Sequence, residues 1–246
     1  MTSLSLSSVC KAYGELVALE DVSLAFTPNC ITAIIGRSGC GKSTLLRMCN
    51  GLTRPDSGEV MVFQQALDYA SLPALRKRIG YAVQGTGLFP HLTVRANISL
   101  LAELENWSKP AIDQRLEQLL TLTQLQQSHL AKYPHQLSGG QQQRVGLCRA
   151  MMLSPELLLL DEPFAAIDPL TRMDIQEQLL ALHEAEPVTT VLVTHDMQEA
   201  LLLADEIVIM EAGRVVQAIS KTRLLEQYPG QEPNRLLLSL MAGAGA

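Results

Sequence analysis

Short runs of apolar residues recur along the chain, and most of them end close to a glycine, a proline or an aspartate. Runs of this kind are typical of strands that are buried on both faces of a sheet. They predict strands at Val22–Phe26, Ile31–Ile35, Val60–Phe63, Ile79–Val83, Leu157–Leu160, Thr190–Val193 and Ile207–Met210. Apolar residues at helical spacing lie between several of these runs and predict helices at Lys42–Asn50, Pro169–Glu184 and Met197–Ala204. Because strands alternate with helices, the pattern predicts an α/β fold with a mostly parallel sheet.

One stretch, from about residue 92 to residue 130, breaks this alternation. It shows only helical patterns, at Val94–Leu104 and Ile112–Leu122. Ser108 and Pro110 are residue types that commonly begin a helix, so we expect the second of these helices to start there. The stretch therefore predicts a helical insertion within the α/β domain.

The composition is that of a globular protein, since 47% of the 246 residues are hydrophobic and 18% are charged. The formal net charge of −6 argues against nonspecific binding of nucleic acid and against a polybasic membrane anchor. The five cysteines have the spacing of neither a zinc site nor a disulfide framework, and we expect free thiols. The longest apolar run is much too short to cross a bilayer, and the first residues lack the pattern of a signal peptide. Any contact with a membrane is therefore expected to go through a protein partner.

The segment Gly36–Ser43 reads GRSGCGKS and fits the phosphate-loop pattern G-x-x-x-x-G-K-[ST]. It directly follows one predicted strand and opens a predicted helix, which is the context that the motif requires. Glycines allow backbone N–H groups to converge on phosphate oxygens, and the helix N-terminus adds the favourable end of its dipole. Lys42 is expected to reach the β- and γ-phosphates of a nucleotide, and Ser43 is expected to bind Mg²⁺.

Two carboxylates, Asp161 and Glu162, follow the apolar strand Leu157–Leu160. Ligands of α/β proteins bind at the carboxyl ends of the strands, so both acids are expected at a ligand site. Asp161 is suited to the coordination shell of Mg²⁺. Alternation along the strand should point Glu162 in another direction, towards a water in line with the γ-phosphate. Glu162 is therefore the candidate general base.

A second glycine loop, Leu137–Arg144, precedes another predicted helix. Ser138 is a natural N-cap, and the two glycines after it expose N–H groups at the positive end of the helix. The loop is thus a second candidate anion site. Two phosphate-binding helix ends about a hundred residues apart make sense if the second loop serves the nucleotide of another subunit.

The residues of this loop carry a family resemblance, because Leu137–Gln141 reads LSGGQ. Together with the phosphate loop and the strand that ends in two acids, it resembles the ATP-binding cassette family from about residue 4 to residue 225. The resemblance implies a P-loop NTPase fold with a RecA-like core, an antiparallel β subdomain and a helical subdomain. It implies one domain over residues 1–246, with the core in 1–84 and 150–220, the helical subdomain with the signature in 85–149, and a short helical tail in 221–246.

The resemblance also implies how the site works. Two cassettes pair head to tail and enclose two ATP molecules, so Ser138, Gly139 and Gly140 contact a γ-phosphate across the dimer. Tyr13 is expected to stack on adenine, and Asp168 is expected to touch the opposite subunit. The implied catalytic residues are Glu162, His195, Gln84 and Lys42, and the implied Mg²⁺ ligands are Ser43, Gln84 and Asp161. The implied nucleotide contacts are Tyr13, Gly36, Arg37, Ser38, Gly39, Cys40, Gly41, Lys42, Ser43, Thr44, Ser138, Gly139, Gly140, Gln141 and Asp168.

The segment Gly87–Val94, GLFPHLTV, resembles bacterial importer subunits, particularly those for glycine betaine, choline and related osmoprotectants. It implies an ATPase at the cytoplasmic face of the inner membrane that drives import through integral permease subunits and is served indirectly by a solute receptor. No nucleic-acid partner is expected. Two alternatives stay open, an exporter subunit with the same chemistry and a soluble member of the family that acts without a membrane. The solute itself is not predicted, because the ATPase subunit does not touch it.

Overall fold

The computed structural model describes residues 3–85, 87–165 and 167–242, and the chain folds into two compact units. The first unit comprises Met1–Leu75 and Thr189–Ala246, and the second comprises Arg76–Val188. The sequence-based boundaries at 84/85 and 149/150 both fall inside the second unit. The last four residues of the implied helical tail, 243–246, lie outside the described residues.

The strands, in chain order, are β1 Leu4–Tyr13, β2 Leu16–Phe26, β3 Ile31–Ile35, β4 Ser57–Val62, β5 Gln65–Ala66, β6 Ile79–Ala82, β7 Leu157–Asp161, β8 Thr189–Thr194, β9 Glu206–Glu211 and β10 Arg214–Ser220. The α-helices are α1 Lys42–Cys49, α2 Leu72–Arg76, α3 Val94–Leu104, α4 Lys109–Leu122, α5 Gly139–Met151, α6 Pro169–Ala185, α7 Met197–Leu203, α8 Lys221–Gln227 and α9 Pro233–Ala242. Short 3₁₀ turns lie at Gln127–His129 and Pro134–Gln136. Within the described ranges, no helix has both the length and the apolar character needed to span a membrane.

In the first unit, the strand β3 is the centre of a parallel set. It pairs with β8 on one side and with β9 on the other, and β10 pairs antiparallel with β9. All five residues of β3 are buried, as expected for a strand covered on both faces. A separate antiparallel sheet has the strand order β2-β1-β4-β5. Strand β10 was absent from the sequence prediction because its residues are only half-buried or exposed, so that no long apolar run marks it.

In the second unit, the strands β6 and β7 form a parallel pair, in register from Ile79 opposite Leu157 to Ala82 opposite Leu160. The predicted helical stretch contains α3 and α4, and α3 has the bounds that the sequence predicted. Ser108 caps α4 by accepting a hydrogen bond from the backbone N–H of Ala111 at 3.4 Å.

A buried arginine joins three helices of the second unit. Arg115 of α4 is 8% exposed, and its Nη2 donates to the backbone oxygen of Met151, at the end of α5, and to the carboxylate of Glu186, directly after α6, both at 2.7 Å. Because Glu186 sits on the C-cap of α6, one guanidinium fixes the carboxyl-terminal ends of α5 and α6 against α4.

We expect Arg115→Met to lower the free energy of unfolding by about 3 kcal/mol, because it leaves a carboxylate and a carbonyl without a buried donor. The matched control is Arg78→Met, which breaks the exposed ion pair between Arg78 and Glu156 and should cost less than about 1 kcal/mol. Urea unfolding followed by the fluorescence of Trp107, the single tryptophan and a member of the same unit, measures both. Equal losses in the two variants would contradict this role of Arg115.

Candidate functional site

The phosphate loop lies between β3 and α1 in the first unit. Lys42, the first residue of α1, is 5% exposed, and its Nζ donates to the backbone oxygens of Gly36 at 2.7 Å and Arg37 at 3.0 Å. The ammonium group is thus held beneath the loop by the loop's own carbonyl groups. The exposed rim consists of Arg37, Ser38 and Gly39.

Two glycines fix the path of this loop by close backbone packing. A Cβ atom at Gly36 would lie 2.2 Å from the backbone oxygen of Met210, and one at Gly41 would lie 2.3 Å from that of Ala18. Gly41 also has φ of 103°, a value that residues with a side chain rarely adopt. Gly39 differs, because a Cβ there would meet no described atom within 4 Å and only its φ of 83° favours glycine. Close packing on neighbouring backbone therefore sets the path of the loop at Gly36 and Gly41.

The candidate γ-phosphate ligand His195 follows the strand β8 directly and is exposed. In the parallel register, Thr194 lies opposite Ile35, so His195 and the start of the phosphate loop emerge side by side from neighbouring strands. The turn is rigid, because Thr194 Oγ1 donates to Glu199 at 2.5 Å and accepts from the backbone N–H of Asp196 at 3.0 Å. The structure thus brings two predicted elements together that are more than 150 residues apart in the chain.

Tyr13 ends the strand β1 of the first unit and is 50% exposed. The Nζ atom of Lys11 lies 5.4 Å from the centroid of its ring. An exposed aromatic ring at the end of a strand is available for stacking on a planar ligand, which is the role that the sequence predicts.

In the second unit, the register of β6 and β7 places Gln84 near the two acids. Asp161 is the last residue of β7 and is 3% exposed, and Gln84 Nε2 donates to Glu162 Oε2 at 3.3 Å. The expected alternation does not set the direction of Glu162, because β7 ends at Asp161 and Glu162 has a φ of 46°. A left-handed turn after the strand directs this side chain instead. Such backbone strain in a residue with a side chain costs about 1–3 kcal/mol and clusters at functional sites.

The LSGGQ segment begins the helix α5 with a reciprocal cap. Ser138 Oγ accepts from the N–H of Gln141 at 3.3 Å, and Gln141 Oε1 accepts from the N–H of Ser138 at 3.0 Å. The predicted N-cap is thereby confirmed. The glycines after it differ in their surroundings, since a Cβ at Gly140 would lie 2.1 Å from Thr171 Cγ2, whereas one at Gly139 would meet no described atom within 4 Å. Packing within the described part of the chain explains Gly140 but not Gly139.

Asp168, which the sequence assigns to the contact with an opposite subunit, caps the helix α6. Its carboxylate accepts from the N–H of Thr171 at 3.0 Å, and hydrogen bonds from Thr171 lower the pKa of Asp168 from its ordinary value. The cap orients the turn before α6. Ala166 lies outside the described residues.

Two residues that the sequence analysis did not single out organise the segment after Gln84. They are Asn97 on α3 and Arg149 on α5, and both hydrogen-bond to backbone atoms of residues 87–93. Asn97 had a signal in the sequence, because it is a polar residue between the apolar positions Val94 and Ile98 of a predicted helix. Arg149 had none, since an arginine near the end of a helix is usually solvated.

The ABC transporter family profile matches residues 19–165. This chain belongs to the ABC transporter family.

Three relatives show the branch that the chain resembles. It is 46% identical over 211 residues to the glycine betaine uptake system ATP-binding protein YehX of Escherichia coli (strain K12), and the matched residues are 86% of this chain and 68% of that protein. It is 42% identical over 238 residues to the glycine betaine/carnitine/choline transport ATP-binding protein OpuCA of Bacillus subtilis (strain 168), and the matched residues are 93% of this chain and 63% of that protein. The Fe(3+) ions import ATP-binding protein FbpC of Pseudomonas fluorescens is 43% identical over 240 residues, covering 97% of this chain and 67% of that protein. The chain thus spans about two thirds of the length of these relatives.

Solved ATP-binding cassettes have the same fold. The dimeric cassette MJ0796, in a post-hydrolysis state bound to ADP and Pi, gives a TM-score of 0.81 at 33% identity and covers 89% of this chain and 98% of that one. The cbiO1 protein from Clostridium perfringens, part of the ABC transporter complex cbiONQ, gives a TM-score of 0.84 at 26% identity and covers 97% of this chain and 98% of that one. The predicted P-loop NTPase fold and ATP-binding family are therefore confirmed.

The two signature glycines generate a paired prediction. Gly139→Ala should leave the thermal midpoint of unfolding unchanged but lower ATPase activity about tenfold or more, because its Cβ would meet no described atom within 4 Å and would lie at the predicted anion site. Gly140→Ala should lower the free energy of unfolding by about 1–3 kcal/mol, because its Cβ clashes with Thr171. Calorimetry and phosphate release measure the two effects. A fully active Gly139→Ala protein would show that nothing approaches this glycine.

Proposed function

We propose that this chain is the ATP-hydrolysing subunit of an importer and that it acts as a head-to-tail pair of cassettes with Mg²⁺. The observation that carries the hydrolytic part is the pair of Gln84 and Glu162 beside the buried Asp161, at the carboxyl ends of two parallel strands. This group supplies a proton acceptor, an amide that can orient a water and a candidate metal ligand, which are the parts that phosphoryl transfer to water needs.

Each proposed role follows from the chemistry of one side chain. Lys42 exchanges its contacts with loop carbonyl groups for contacts with phosphate oxygens, which are charged and therefore stronger acceptors. Glu162 accepts the proton of the attacking water, and Gln84 holds Glu162 and that water in place through its amide. His195 donates to the γ-phosphate. The bond to the leaving ADP oxygen then breaks as the new bond to the water oxygen forms.

The donor set fits Mg²⁺. The proposed ligands are the hydroxyl of Ser43 and the oxygens of Gln84 and Asp161. Among the described residues, no group of three or more His, Cys, Asp or Glu side chains could hold a metal by itself. A hard cation that takes one carboxylate, a hydroxyl and nucleotide oxygens is the metal that such a set favours. When bound, Mg²⁺ would neutralise charge on the phosphates.

The pairing of two chains is supported by the open position at Gly139. Ser138 and the exposed Gly139 lie at the start of a 13-residue helix, where an anion binds favourably, and no described residue fills the space over Gly139. The cassette with 33% identity is dimeric and bound to ADP and Pi, which supports a pair of chains. We infer that Ser138, Gly139 and Gly140 bind the nucleotide of the second copy and that Asp168 lies at that interface.

The import direction is supported by two relatives that are named for uptake or import and by the resemblance of the GLFPHLTV segment after Gln84 to importer subunits. We infer that integral permease subunits hold the protein at the cytoplasmic face of the membrane and that a solute receptor delivers a polar solute to the permease. Quaternary ammonium compounds such as glycine betaine are the solutes that the names of two of the relatives favour.

The deciding experiment is Glu162→Gln. The amide keeps the size of the side chain but cannot accept a proton at neutral pH, so ATP hydrolysis should fall by about 10²–10⁴-fold. ATP and Mg²⁺ should still bind, and because hydrolysis releases the pair, ATP should hold a long-lived dimer. Size-exclusion chromatography with ATP, with and without Mg²⁺, measures the dimer.

The control is Lys42→Ala, which removes the phosphate contact and should weaken nucleotide binding and abolish the dimer. If Glu162→Gln hydrolyses ATP like the parent protein, or fails to bind ATP, then Glu162 is not the general base.

Tyr13→Ala should weaken ATP binding about tenfold with little change in turnover at saturation. Stacking on a base contributes about 1–3 kcal/mol, and it acts equally before and during the reaction because the base is far from the reacting phosphate. Tyr133→Ala is the matched control, because Tyr133 is also exposed but has no proposed nucleotide contact. Titration with a fluorescent ATP analogue and steady-state kinetics separate affinity from turnover. Unchanged affinity with reduced turnover would contradict the stacking role.

A further inference from the structure

The loop Gly87–Thr93, GLFPHLT, is held by polar side chains from two different helices of the second unit. It follows Gln84 and leads directly into α3. The loop itself is largely exposed, and Phe89 is 42% exposed. An exposed loop of this kind is usually free to move unless side chains tie it down. Its attachments therefore decide what moves with it.

The first attachment is Asn97, which is fully buried on α3. Its Oδ1 accepts from the N–H of Phe89 at 2.8 Å, and its Nδ2 donates to the backbone oxygens of Phe89 at 3.0 Å and Leu92 at 3.1 Å. The amide thus binds both polar backbone groups of Phe89 and closes the loop on itself. Loop and α3 consequently form one body.

The second attachment is Arg149, which is half-buried in the last turn of α5. Its Nη1 donates to the backbone oxygen of Gly87 at 2.9 Å, and its guanidinium carbon lies 6.0 Å from the centroid of the Phe89 ring. The edge of the His91 ring packs against the same phenyl ring, with centroids 5.9 Å apart. Burial lowers the pKa of the Arg149 guanidinium from its ordinary value. The cation therefore gives up hydration to reach the loop.

Arginine is suited to this double contact. Its planar guanidinium can donate to a carbonyl group and lie over an aromatic ring at the same time. Lysine can donate the hydrogen bond, but its ammonium group has no planar surface that could lie over the ring. The loop is thus attached by a hydrogen bond and by a ring contact to one end of the helix whose other end is the LSGGQ turn.

We propose that Arg149 is a positioning residue that ties the GLFPHLT loop to the signature helix α5, so that a displacement of the loop is passed to the turn at Ser138–Gly140. The inference rests on the proposed function, in which Gln84 and the LSGGQ turn both meet nucleotide. A helix of 13 residues is about 20 Å long and moves as a rod. A displacement of the exposed loop therefore reaches the anion site through the Arg149 guanidinium, in addition to the packing of α3 against α5.

Hydrogen exchange followed by mass spectrometry on the full-length protein tests this proposal. Without nucleotide, Arg149→Met removes the hydrogen bond that Gly87 accepts from a charged group and should therefore favour opening of the loop, which exposes the N–H of Phe89. Exchange in the peptide that contains Phe89 should speed up by about tenfold or more, the factor expected when such a hydrogen bond is lost. Arg149→Lys, which keeps a donor for Gly87, should show a smaller increase. The matched control is Arg95→Met, which removes an arginine of α3 that pairs on the surface with Asp113, and it should leave this peptide unchanged.

The second arm adds Mg-ATP to the same variants in a Glu162→Gln background. With Arg149 present, exchange should slow both in the Phe89 peptide and in the peptide with Ser138–Gly140. In the Arg149→Met protein, the signature peptide should still slow, while the Phe89 peptide should no longer respond. A merely structural role would instead weaken both responses and lower the thermal midpoint.

Three results would overturn the proposal: a Phe89 peptide that responds normally in Arg149→Met, a Phe89 peptide that never responds in the parent although ATP binds, or equal effects of Arg149→Met and Arg95→Met. If ATP binds to none of the proteins, the proposed function is wrong, and the comparison without nucleotide still decides whether Arg149 holds the loop.

Discussion

The register of parallel strands with largely buried side chains is the constraint that positions the candidate functional residues within each unit. Parallel strands run in the same direction, so the segments that follow neighbouring strands emerge at the same edge of the sheet, and the register decides which of their residues lie side by side. Ile35 opposite Thr194 places the phosphate loop beside His195 in the first unit. Ala82 opposite Leu160 places Gln84 beside the acids in the second. Strands of four to six residues thus set the positions of residues that are 78 or more positions apart.

The functional segments beyond these strand ends contain a strained backbone and a buried cation, both of which lower the free energy of unfolding. Interactions in the rest of the fold offset this cost. Glu162 has a left-handed backbone conformation, and Lys42 is an almost fully buried cation that is stabilised by two carbonyl oxygens. Gly36 and Gly41 pack so closely on neighbouring backbone that no side chain fits. Backbone packing thus sets the shape of the loop, and a left-handed turn sets the direction of the carboxylate. Preorganisation of this kind places the cost in folding instead of in binding.

The second unit adds polar connections between its helices. Arg115 fixes the ends of α5 and α6 against α4, while Asn97 and Arg149 attach the loop after Gln84 to α3 and α5. Each of these side chains binds backbone oxygens at a place where a helix or a loop ends. Directed hydrogen bonds to backbone constrain relative position more narrowly than apolar packing does, because they fail beyond a few tenths of an ångström. The connections make α5 the element on which several parts of the unit converge.

The sequence by itself determined the class of fold, the bounds of α3, the phosphate loop, the cap at Ser138 and the family, because each of these has a local signal in composition, spacing or motif. The roles of the individual site residues remain predictions. Only the tertiary structure decided that a left-handed turn directs Glu162, that Thr171 requires a glycine at position 140 while no described contact requires one at 139, and that Arg149 reaches Gly87. These facts depend on contacts between residues 31 and 62 positions apart, or on a backbone angle that the residue type does not predict. Such contacts arise from strand register and helix packing, which the order of amino acids encodes only through the whole fold.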